Sequence, residues 1–356
     1  MSIVLIILSM LVIWRASDGF ESATEYLGRK LSDGVKGATL NAIGSSMPEF
    51  ITTMIALLFY ADKNGFAFGV GTTAGSAVFN GAVIPAVVIL SVVLFGVAKN
   101  VVVSRKVILR DGLALIIGEL LLIWILSKGT INYFDGLALV VYYMVYVIVM
   151  LKTMDNSECE EYEHEKPDDS RWLSNFITLN IKDTILCGRR IGTFTAWFIL
   201  IVSTLLIGGA CHLLVEACYM LGNEMGIQTY FIAVILAAAA TSVPDTIISI
   251  KDAKNGNYDD AVSNALGSNV FDICFCLGFS AAAYCLYFGD TIQLSAASDI
   301  GDVRIVLLGV TVAVFLLMLK KTLAVVDALA MLFLYGMFVI YILDKAYNLG
   351  AFKWIF

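Results

Sequence analysis

The chain has 356 residues, of which 59% are hydrophobic and only 15% are charged. This composition excludes an ordinary soluble domain and predicts an all-α polytopic membrane protein. The formal net charge of −7 provides no basic footprint for nucleic acid, because much of it comes from one acidic stretch between residues 155 and 169.

The lengths of the apolar runs predict ten membrane-spanning helices. In chain order they cover residues 2–27, 35–61, 66–98, 107–127, 131–151, 191–220, 227–253, 258–287, 303–319 and 323–345. The first run has no basic region before it and no small-residue cleavage site after it, so we interpret it as a helix and not as a signal peptide. Arg15 and Asp18 interrupt that run three residues apart, and this spacing predicts an ion pair.

Residues 152–190 form the only long hydrophilic stretch, and they divide the chain into three parts. Its acidic first half is typical of disorder. Its second half repeats apolar residues at helical spacing from Trp172 to Ile185, which predicts an amphipathic segment at the membrane surface. We therefore expect a first five-helix repeat over 1–151, a connector over 152–190 and a second five-helix repeat over 191–356.

Loop charges predict the orientation of the chain in the membrane. Most of the 23 lysines and arginines fall in loops on one side of the ten segments, including the connector. By the positive-inside rule this side is cytoplasmic, which places both termini outside the cell.

Two similar pairs of segments stand five predicted helices apart. The first pair reads GSSMPE at 44–49 and GSAVFN at 75–80, and the second reads ATSVPD at 240–245 and GSNVFD at 267–272. Because the offset is an odd number of crossings, the two pairs traverse the membrane in opposite directions. The sequence therefore predicts two inverted repeats with a site at the bilayer midplane between them.

Each pair places oxygen-bearing side chains where lipid normally demands hydrocarbon. A charged side chain at the bilayer centre costs roughly 2.5–3.5 kcal/mol on insertion scales, so repeated carboxylates indicate a bound cation. Helical spacing puts Ser45 and Ser46 on the face of Glu49, while Pro48 lacks the N–H that would bond the carbonyl of Gly44. The second copy repeats this arrangement with Thr241, Ser242 and Asp245, and the partner helices present Ser76 with Asn80 and Ser268 with Asp272 at four-residue spacing.

Oxygen ligands of this kind suit hard cations such as Ca²⁺ and Na⁺. Zinc or copper would require nitrogen or sulfur ligands, and His164 and His212 lie far from both pairs in the sequence. Glu119 is a further carboxylate in the fourth segment without a matching ligand cluster, and we expect it to be a structural or interfacial partner and not a transport residue.

The paired segments resemble the two alpha repeats of the cation/calcium exchanger superfamily, specifically the sodium/calcium exchangers and most of all the potassium-dependent ones. The resemblance implies a plasma-membrane antiporter, not an enzyme, that needs no cofactor and can work as a monomer. It would exchange Ca²⁺, together with K⁺, for Na⁺ by alternating access, with helices one and six as the moving gate. The ion ligands it implies are Glu49, Asp245, Asn80, Asp272, Ser45, Ser46, Ser76, Thr241, Ser242 and Ser268, with the backbone carbonyls of Ala42 and Ala238.

Other functions stay open at this point. Ala77 and Ala240 depart from the commonest pattern of the superfamily, so a potassium-independent exchanger is an alternative. A proton-coupled exchanger of the same superfamily is a second alternative. The many hydroxyls favour Na⁺ over a proton-coupled mechanism. A cation channel would need a continuous pore, and an intramembrane aspartyl protease built on Asp245 and Asp272 would leave the duplicated hydroxyls and prolines unexplained.

Overall fold

The structure is a computed structural model that describes residues 1–28, 42–60, 63–153, 175, 178–186, 190–293 and 297–351. The side chains of 42, 63, 64, 153 and 297–302 lie outside this description. Helices make up nearly all of the described part of the chain, as the composition predicts.

The first half contains five helical elements. They are α1 (Ser2–Leu27), α2 (Ala42–Ser45 and Met47–Phe59), α3 (Lys63–Val78, π-helical Phe79–Val83, then Ile84–Leu94), α4 (Arg105–Leu126) and α5 (Tyr133–Thr153). The third predicted segment ends at Leu94 and not at residue 98, because Gly96 adopts a left-handed backbone with a φ of 71°.

The second half repeats this series after the connector. It contains α6 (Thr193–Met225), α7 (Thr229–Ile232, π-helical Ala233–Ala237, Ala238–Thr241, then Val243–Lys254), α8 (Tyr258–Val270, π-helical Phe271–Cys276, then Leu277–Phe288), α9 (Ala297–Met318) and α10 (Val325–Tyr347). Helix α6 continues past the predicted end at residue 220 until Gly226, whose φ of 67° stops it.

The described residues include 6 helices that are long and apolar enough to cross a membrane, or 7 if the bent α7 is counted as one span. The chain is therefore an integral membrane protein. The 6 are α1, α3 from Gly65, α5 to Lys152, α6, α8 and α10. Of the remaining predicted spans, α2 and α9 offer shorter apolar stretches, Met47–Phe59 and Val303–Met318, and α4 carries several charged side chains. The count of ten spans therefore stays a prediction.

Short backbone pairings join the loops at the two ends of the bundle. Strand β1 (Thr130–Ile131), between α4 and α5, pairs antiparallel with β2 (Ile292–Gln293), between α8 and α9. At the opposite end of α4, Val101 bridges to Leu323. In each pairing, both loops belong to the same side of the membrane in the prediction from loop charges. The pairings are therefore consistent with that division of the loops into two sides.

The buried apolar residues form two clusters. The larger one joins α3, α4, α5, α8, α9 and α10, with a few residues of α2 and α7. The smaller one is built on α1 and α6, which pack along each other more extensively than any other two described helices, with a few residues of α2, α3 and α7. A Cβ added at Gly19 of α1 would lie 2.6 Å from the Ser203 hydroxyl of α6, so this glycine permits the close packing.

The connector is described in part, and its described residues attach to α1 and α6. The connector helix (Ile181–Leu186) buries Ile181 and Leu186 against these two helices. Arg15 of α1 donates from Nε to the carbonyl of Thr178 at 2.7 Å and pairs with Asp18 at 3.3 Å, which confirms the predicted ion pair. Residues 154–174, which include the acidic stretch, lie outside the described residues.

A buried polar contact fixes α8 against its neighbours. Asp111 of α4 is fully buried and accepts hydrogen bonds from Arg110, from Tyr146 of α5 at 3.1 Å and from Ser263 of α8 at 2.8 Å. Because a buried carboxylate is costly unless it is paired, this contact holds three helices in one arrangement. It thereby sets the position of the predicted ligands on α8.

Candidate cation-binding site

Both copies of the proline motif break their helix at the same place. Ser46 separates the two parts of α2 with a φ of −92° and a ψ of 8°, and Ser242 separates the last two parts of α7 with −82° and 3°. The next helical part has proline in its first turn in each case, Pro48 and Pro244. Proline lacks the N–H that would continue the preceding helix, so the break follows from the sequence.

The partner helices also share a local distortion. The π-helical parts of α3 and α8 begin at Phe79 and Phe271, the phenylalanines of the two related motifs, and they contain Asn80 and Asp272. Single π-helical turns are frequent at functional sites because they redirect side chains from the regular helical face. The repeated sequence thus gives repeated backbone geometry in both halves.

The Asp245 carboxylate is held from two helices. Asn80 of α3 donates from Nδ2 to Oδ2 of Asp245 at 3.0 Å, and Ser268 of α8 donates from Oγ to Oδ1 at 3.0 Å. The side chains of all three residues are buried. One carboxylate therefore connects the first copy of the motif with the second.

Ser76 is the branching point between the other carboxylates. Its hydroxyl donates to Oδ2 of Asp272 at 2.9 Å, lies 2.9 Å from the Ser242 hydroxyl and accepts from Nδ2 of Asn80 at 3.2 Å. The Ser242 hydroxyl in turn lies 3.3 Å from Oε1 of Glu49. One continuous hydrogen-bond network, which we call the midplane network, thus joins Glu49, Ser76, Asn80, Ser242, Asp245, Ser268 and Asp272.

The midplane network is buried and only partly satisfied within the protein. Glu49, Asp245 and Asp272 have an exposed fraction of 0%. Within the described residues, Oε2 of Glu49 and Oδ1 of Asn80 have no hydrogen-bond partner. Two acceptor oxygens with no donor are the arrangement expected where a cation binds, because a cation satisfies them as a proton donor would.

Among the described residues, the groups that act on the three carboxylates of the midplane network include no basic side chain. The groups acting on the three carboxylates are the other carboxylates together with hydroxyl, amide, thiol and backbone donors. Across the residues that the structure describes, no three His, Cys, Asp or Glu side chains form a metal-binding group by themselves. The carboxylates are spaced by hydroxyls and an amide, so a cation here would take mixed ligands.

The remaining predicted hydroxyl ligands lie beside the carboxylates of the midplane network, and Thr241 also bonds its own helix. Ser45 is buried beside the Asp245 carboxylate, and Ser46 is buried at the break of α2. The Thr241 hydroxyl donates to the carbonyls of Ala237 and Ala238 at 3.1 and 3.2 Å, within its own helix. The Ala238 carbonyl also accepts the amide of Ser242 at 3.1 Å, so it has two donors already. Ala42 opens the first part of α2.

Three residues of α8 outside the predicted ligand set lie at or next to the site, and one of them, Cys276, is a soft sulfur ligand that matches an oxygen site poorly on sequence grounds. Asn264 donates towards the Asp245 carbonyl at 3.4 Å and Asn269 donates to the Ala77 carbonyl at 2.9 Å. Cys276 lies with its sulfur 3.8 Å from Oδ1 of Asp272. The four-residue spacing between Asp272 and Cys276 was the available signal, since such pairs share a helical face.

Glu119 lies outside the midplane network. Its carboxylate is buried in α4 and accepts the Thr311 hydroxyl of α9 at 2.7 Å. This contact joins two helices of the larger cluster, as expected for a structural partner.

Comparison with known protein families identifies one family along most of the chain. A family model described as "Sodium/calcium exchanger protein" matches residues 1–152 and 195–343, which includes both motif pairs. The matched region ends close to the predicted beginning of the connector and resumes shortly after its end.

Similar proteins include sodium/potassium/calcium exchanger 3 of Rattus norvegicus, which is 35% identical over 161 residues. That match covers 44% of this chain but only 26% of the relative, so the chain matches about a quarter of its length. A putative antiporter, CaxA of Alkalimonas amylolytica, is 24% identical over 76% of both chains.

Two solved structures show the same fold. The crystal structure of the H⁺/Ca²⁺ exchanger CAX matches with a TM-score of 0.71 and 16% identity, covering 98% of this chain and 88% of that chain. The sodium-calcium exchanger NCX_Mj, soaked with Na⁺ and without Ca²⁺, matches with a TM-score of 0.56 and 19% identity, covering 94% and 97%. At these identities the likeness concerns the fold alone.

Proposed function

The chain belongs to the sodium/calcium exchanger protein family, and from that membership we propose that it is a secondary antiporter. It exchanges Ca²⁺, together with K⁺, for Na⁺ across the membrane by alternating access. It acts on ions and is not an enzyme, it requires no cofactor, and one chain forms the complete transport unit.

The midplane network is the observation that carries this proposal. It brings three carboxylates from both motif copies into one fully buried hydrogen-bond system. Buried charges are strongly unfavourable unless they are compensated. Three negative charges are balanced by one Ca²⁺ and one K⁺, or by three Na⁺, and these two loads exclude each other because they need the same oxygens.

Individual residues take distinct roles in this site. Glu49 and Asp245 bind Ca²⁺, with Asn80 and Asp272 beside them, and Asp272 holds the monovalent ion. The hydroxyls complete the coordination, because Ca²⁺ takes about six to eight oxygen ligands. The available hydroxyls are Ser45, Ser46, Ser76, Thr241, Ser242 and Ser268. The carbonyls of Ala42 and Ala238 are further candidate ligands, and that of Ala238 would bind an ion in exchange for one of its two hydrogen bonds.

The two halves form inverted five-helix repeats over 1–151 and 191–356, joined by the cytoplasmic connector 152–190, in the plasma membrane with both termini outside. Helices α1 and α6 act as the gate that slides past the ion site. The apolar cluster centred on α1 and α6 supports this role, because these two helices pack more extensively on each other than on the other described helices. Their described contacts with the connector support assigning that segment to the moving part.

A second candidate is proton-coupled exchange, and one observation favours it. Oε2 of Glu49 has no hydrogen-bond partner among the described residues, and a bound proton would also neutralise this buried oxygen. The hydroxyl-rich ligand set favours Na⁺ instead, since hydroxyls coordinate a cation but do not exchange protons near neutral pH.

The deciding experiment is uptake of radiolabelled Ca²⁺ by proteoliposomes that contain the full chain. Na⁺, K⁺ and proton gradients are imposed one at a time and then in combination. We expect an outward Na⁺ gradient to drive uptake and external K⁺ to increase it. Uptake driven by a proton gradient and not by Na⁺ would replace the proposal with proton-coupled exchange, and uptake that needs no counter-ion would indicate a channel.

A further inference from the structure

A thiol borders the midplane network at Asp272. Cys276 is fully buried in the π-helical part of α8, and its sulfur lies 3.8 Å from Oδ1 of Asp272, the oxygen that does not accept from Ser76. The charges of Asp272, Glu49 and Asp245 all act on this thiol. Cys276 therefore adjoins the candidate ion site itself.

The neighbouring cysteines have other packing or hydrogen-bond partners. Cys274, two residues earlier and equally buried, lies against Gly118 of α4, where an added Cβ would be 2.9 Å from its sulfur. Cys211 of α6 donates to the backbone carbonyl of Pro48 at 3.6 Å and to no carboxylate. Of these three described cysteines, Cys276 is the one whose thiol donates to a carboxylate of the midplane network.

We propose that Cys276 is a specificity-determining residue that gives soft divalent cations a sulfur ligand in the ion site. The proposal rests on the proposed function, because it assigns a selectivity to that same site. The unpartnered, fully buried oxygens of Glu49 and Asn80 belong to the same network, so a cation bound there meets oxygen ligands on one side and sulfur beside Asp272.

Cd²⁺ is the suitable probe for this selectivity. It matches Ca²⁺ in charge and is close to it in radius, but it is softer and prefers sulfur ligands. Ca²⁺ and Sr²⁺ are hard cations that gain little from a thiol. A sulfur ligand therefore raises affinity for Cd²⁺ selectively and leaves competition between Sr²⁺ and Ca²⁺ unaffected.

The first test measures inhibition of Ca²⁺ exchange by Cd²⁺ in thiol-free buffer, with each variant normalised to its own uninhibited flux. We expect Cys276→Ser to raise the half-inhibiting Cd²⁺ concentration about tenfold or more, the usual size of effect for a lost metal-site contact, with unchanged inhibition by Sr²⁺. Cys274→Ser and Cys211→Ser are the matched controls and should behave as the unsubstituted protein. Equal Cd²⁺ inhibition in Cys276→Ser, or the same shift in either control, would overturn the proposal.

The second test does not depend on transport. Purified full-length protein is unfolded by heat with CdCl₂ or CaCl₂, and the shift in midpoint is compared among the unsubstituted protein, Cys276→Ser and Cys276→Ala. We expect Cd²⁺ to raise the unfolding midpoint of the unsubstituted protein. In both variants most of this Cd²⁺ shift should disappear, while the shift caused by Ca²⁺ should persist. A Cd²⁺ shift that both variants retain would overturn the inference, whereas absent Ca²⁺ exchange with a Cys276-dependent Cd²⁺ shift would overturn only the proposed function.

Discussion

The side chains of Asn80 and Asp245 meet at 3.0 Å although 165 residues separate them in the chain. The amide nitrogen of Asn80 donates to one oxygen of Asp245, and Ser268 donates to the other. Residues of both motif copies thus bind the Asp245 carboxylate. Loss of the contacts from either copy should therefore disable the whole site.

Neutralising a site carboxylate should abolish exchange, and neutralising a buried carboxylate elsewhere should not. Glu49→Gln and Asp245→Asn each remove a charge, and one contact with a charged group is worth about 1.5–3 kcal/mol, or about 10- to 150-fold in ion binding. We expect at least a tenfold loss of gradient-driven Ca²⁺ uptake in reconstituted vesicles.

Glu119→Gln is the matched control for this comparison, because Glu119 is equally buried but bonds Thr311 away from the midplane network. Its uptake should stay within about twofold of the unsubstituted protein, since an amide oxygen still accepts the threonine hydroxyl. Normal uptake by both Glu49→Gln and Asp245→Asn would contradict the assignment of the site.

How far the sequence predicts this site differs among its residues. The integral-membrane class follows from composition, and the helix breaks follow from Pro48 and Pro244. The contacts between helices do not follow, because spacing places Thr241 on the face of Asp245 without showing that its hydroxyl bonds its own helix. Threonine often makes this backbone contact in helices, and only the packed structure shows which partner it takes.

The central place of Ser76 in the midplane network also could not be predicted, because it depends on contacts between helices. Its four-residue spacing to Asn80 indicated a shared face, but its contacts with Ser242 and Asp272 depend on the rotation of three helices. Small residues allow these helices to pack closely, but the sequence does not show which atoms lie against them. Gly75 is the clearest example of such a residue.

Gly75→Ala should destabilise the protein, because an added Cβ would lie 2.0 Å from the carbonyl oxygen of Val234. That atom belongs to the backbone of α7 and cannot move without separating α3 from α7. Overpacking of this kind costs about 1–3 kcal/mol, so the thermal unfolding midpoint of purified protein should fall.

Gly309→Ala is the control for this substitution, since nothing lies within 4 Å of the added Cβ. Alanine also has the higher helix propensity, by about 1 kcal/mol, so the midpoint should stay the same or rise. An equal fall for both substitutions would show that close approach of α3 and α7 at Gly75 is not the cause.

An aromatic stack connects the proposed gate with the rest of the protein. Tyr219 of α6 stacks on Tyr60 at 4.6 Å and on Phe68 of α3 at 5.6 Å between ring centroids. Each aromatic pair contributes about 0.5–1.5 kcal/mol beyond area burial. Tyr219→Leu should therefore favour separation of α6 from α2 and α3, whereas Tyr219→Phe should keep the stack.

Labelling of Cys218 by a small thiol reagent measures this opening, because Cys218 precedes Tyr219 and is fully buried. We expect about 5- to 150-fold faster labelling in Tyr219→Leu, because the loss of two aromatic pairs removes about 1–3 kcal/mol, and an unchanged rate in Tyr219→Phe. Cys218→Ser in the same background identifies the labelled residue. Identical rates in both tyrosine variants would argue against the stack as a contact of the gate.

Asp272 should determine whether K⁺ takes part in exchange. With all three carboxylates charged, Ca²⁺ leaves one negative charge uncompensated, and buried uncompensated charge is costly. Asp272→Asn removes that charge, and the amide oxygen still accepts the Ser76 hydroxyl that now bonds Asp272 at 2.9 Å. We expect external K⁺ to stimulate Ca²⁺ uptake by the unsubstituted protein and to have no effect on Asp272→Asn, whose residual Na⁺-driven uptake is measured over a K⁺ titration.

Ser76→Ala serves as the control here, because it removes the hydrogen bond to Asp272 and keeps the charge. It should lower the affinity for K⁺ and still show stimulation at high K⁺. Persistent K⁺ stimulation in Asp272→Asn would move the monovalent site elsewhere in the midplane network. Equal uptake by the unsubstituted protein in K⁺ and in choline would instead remove K⁺ from the reaction. The third negative charge would then have to be balanced by Na⁺ or by a proton, and a pH titration of the same uptake would distinguish these two ions.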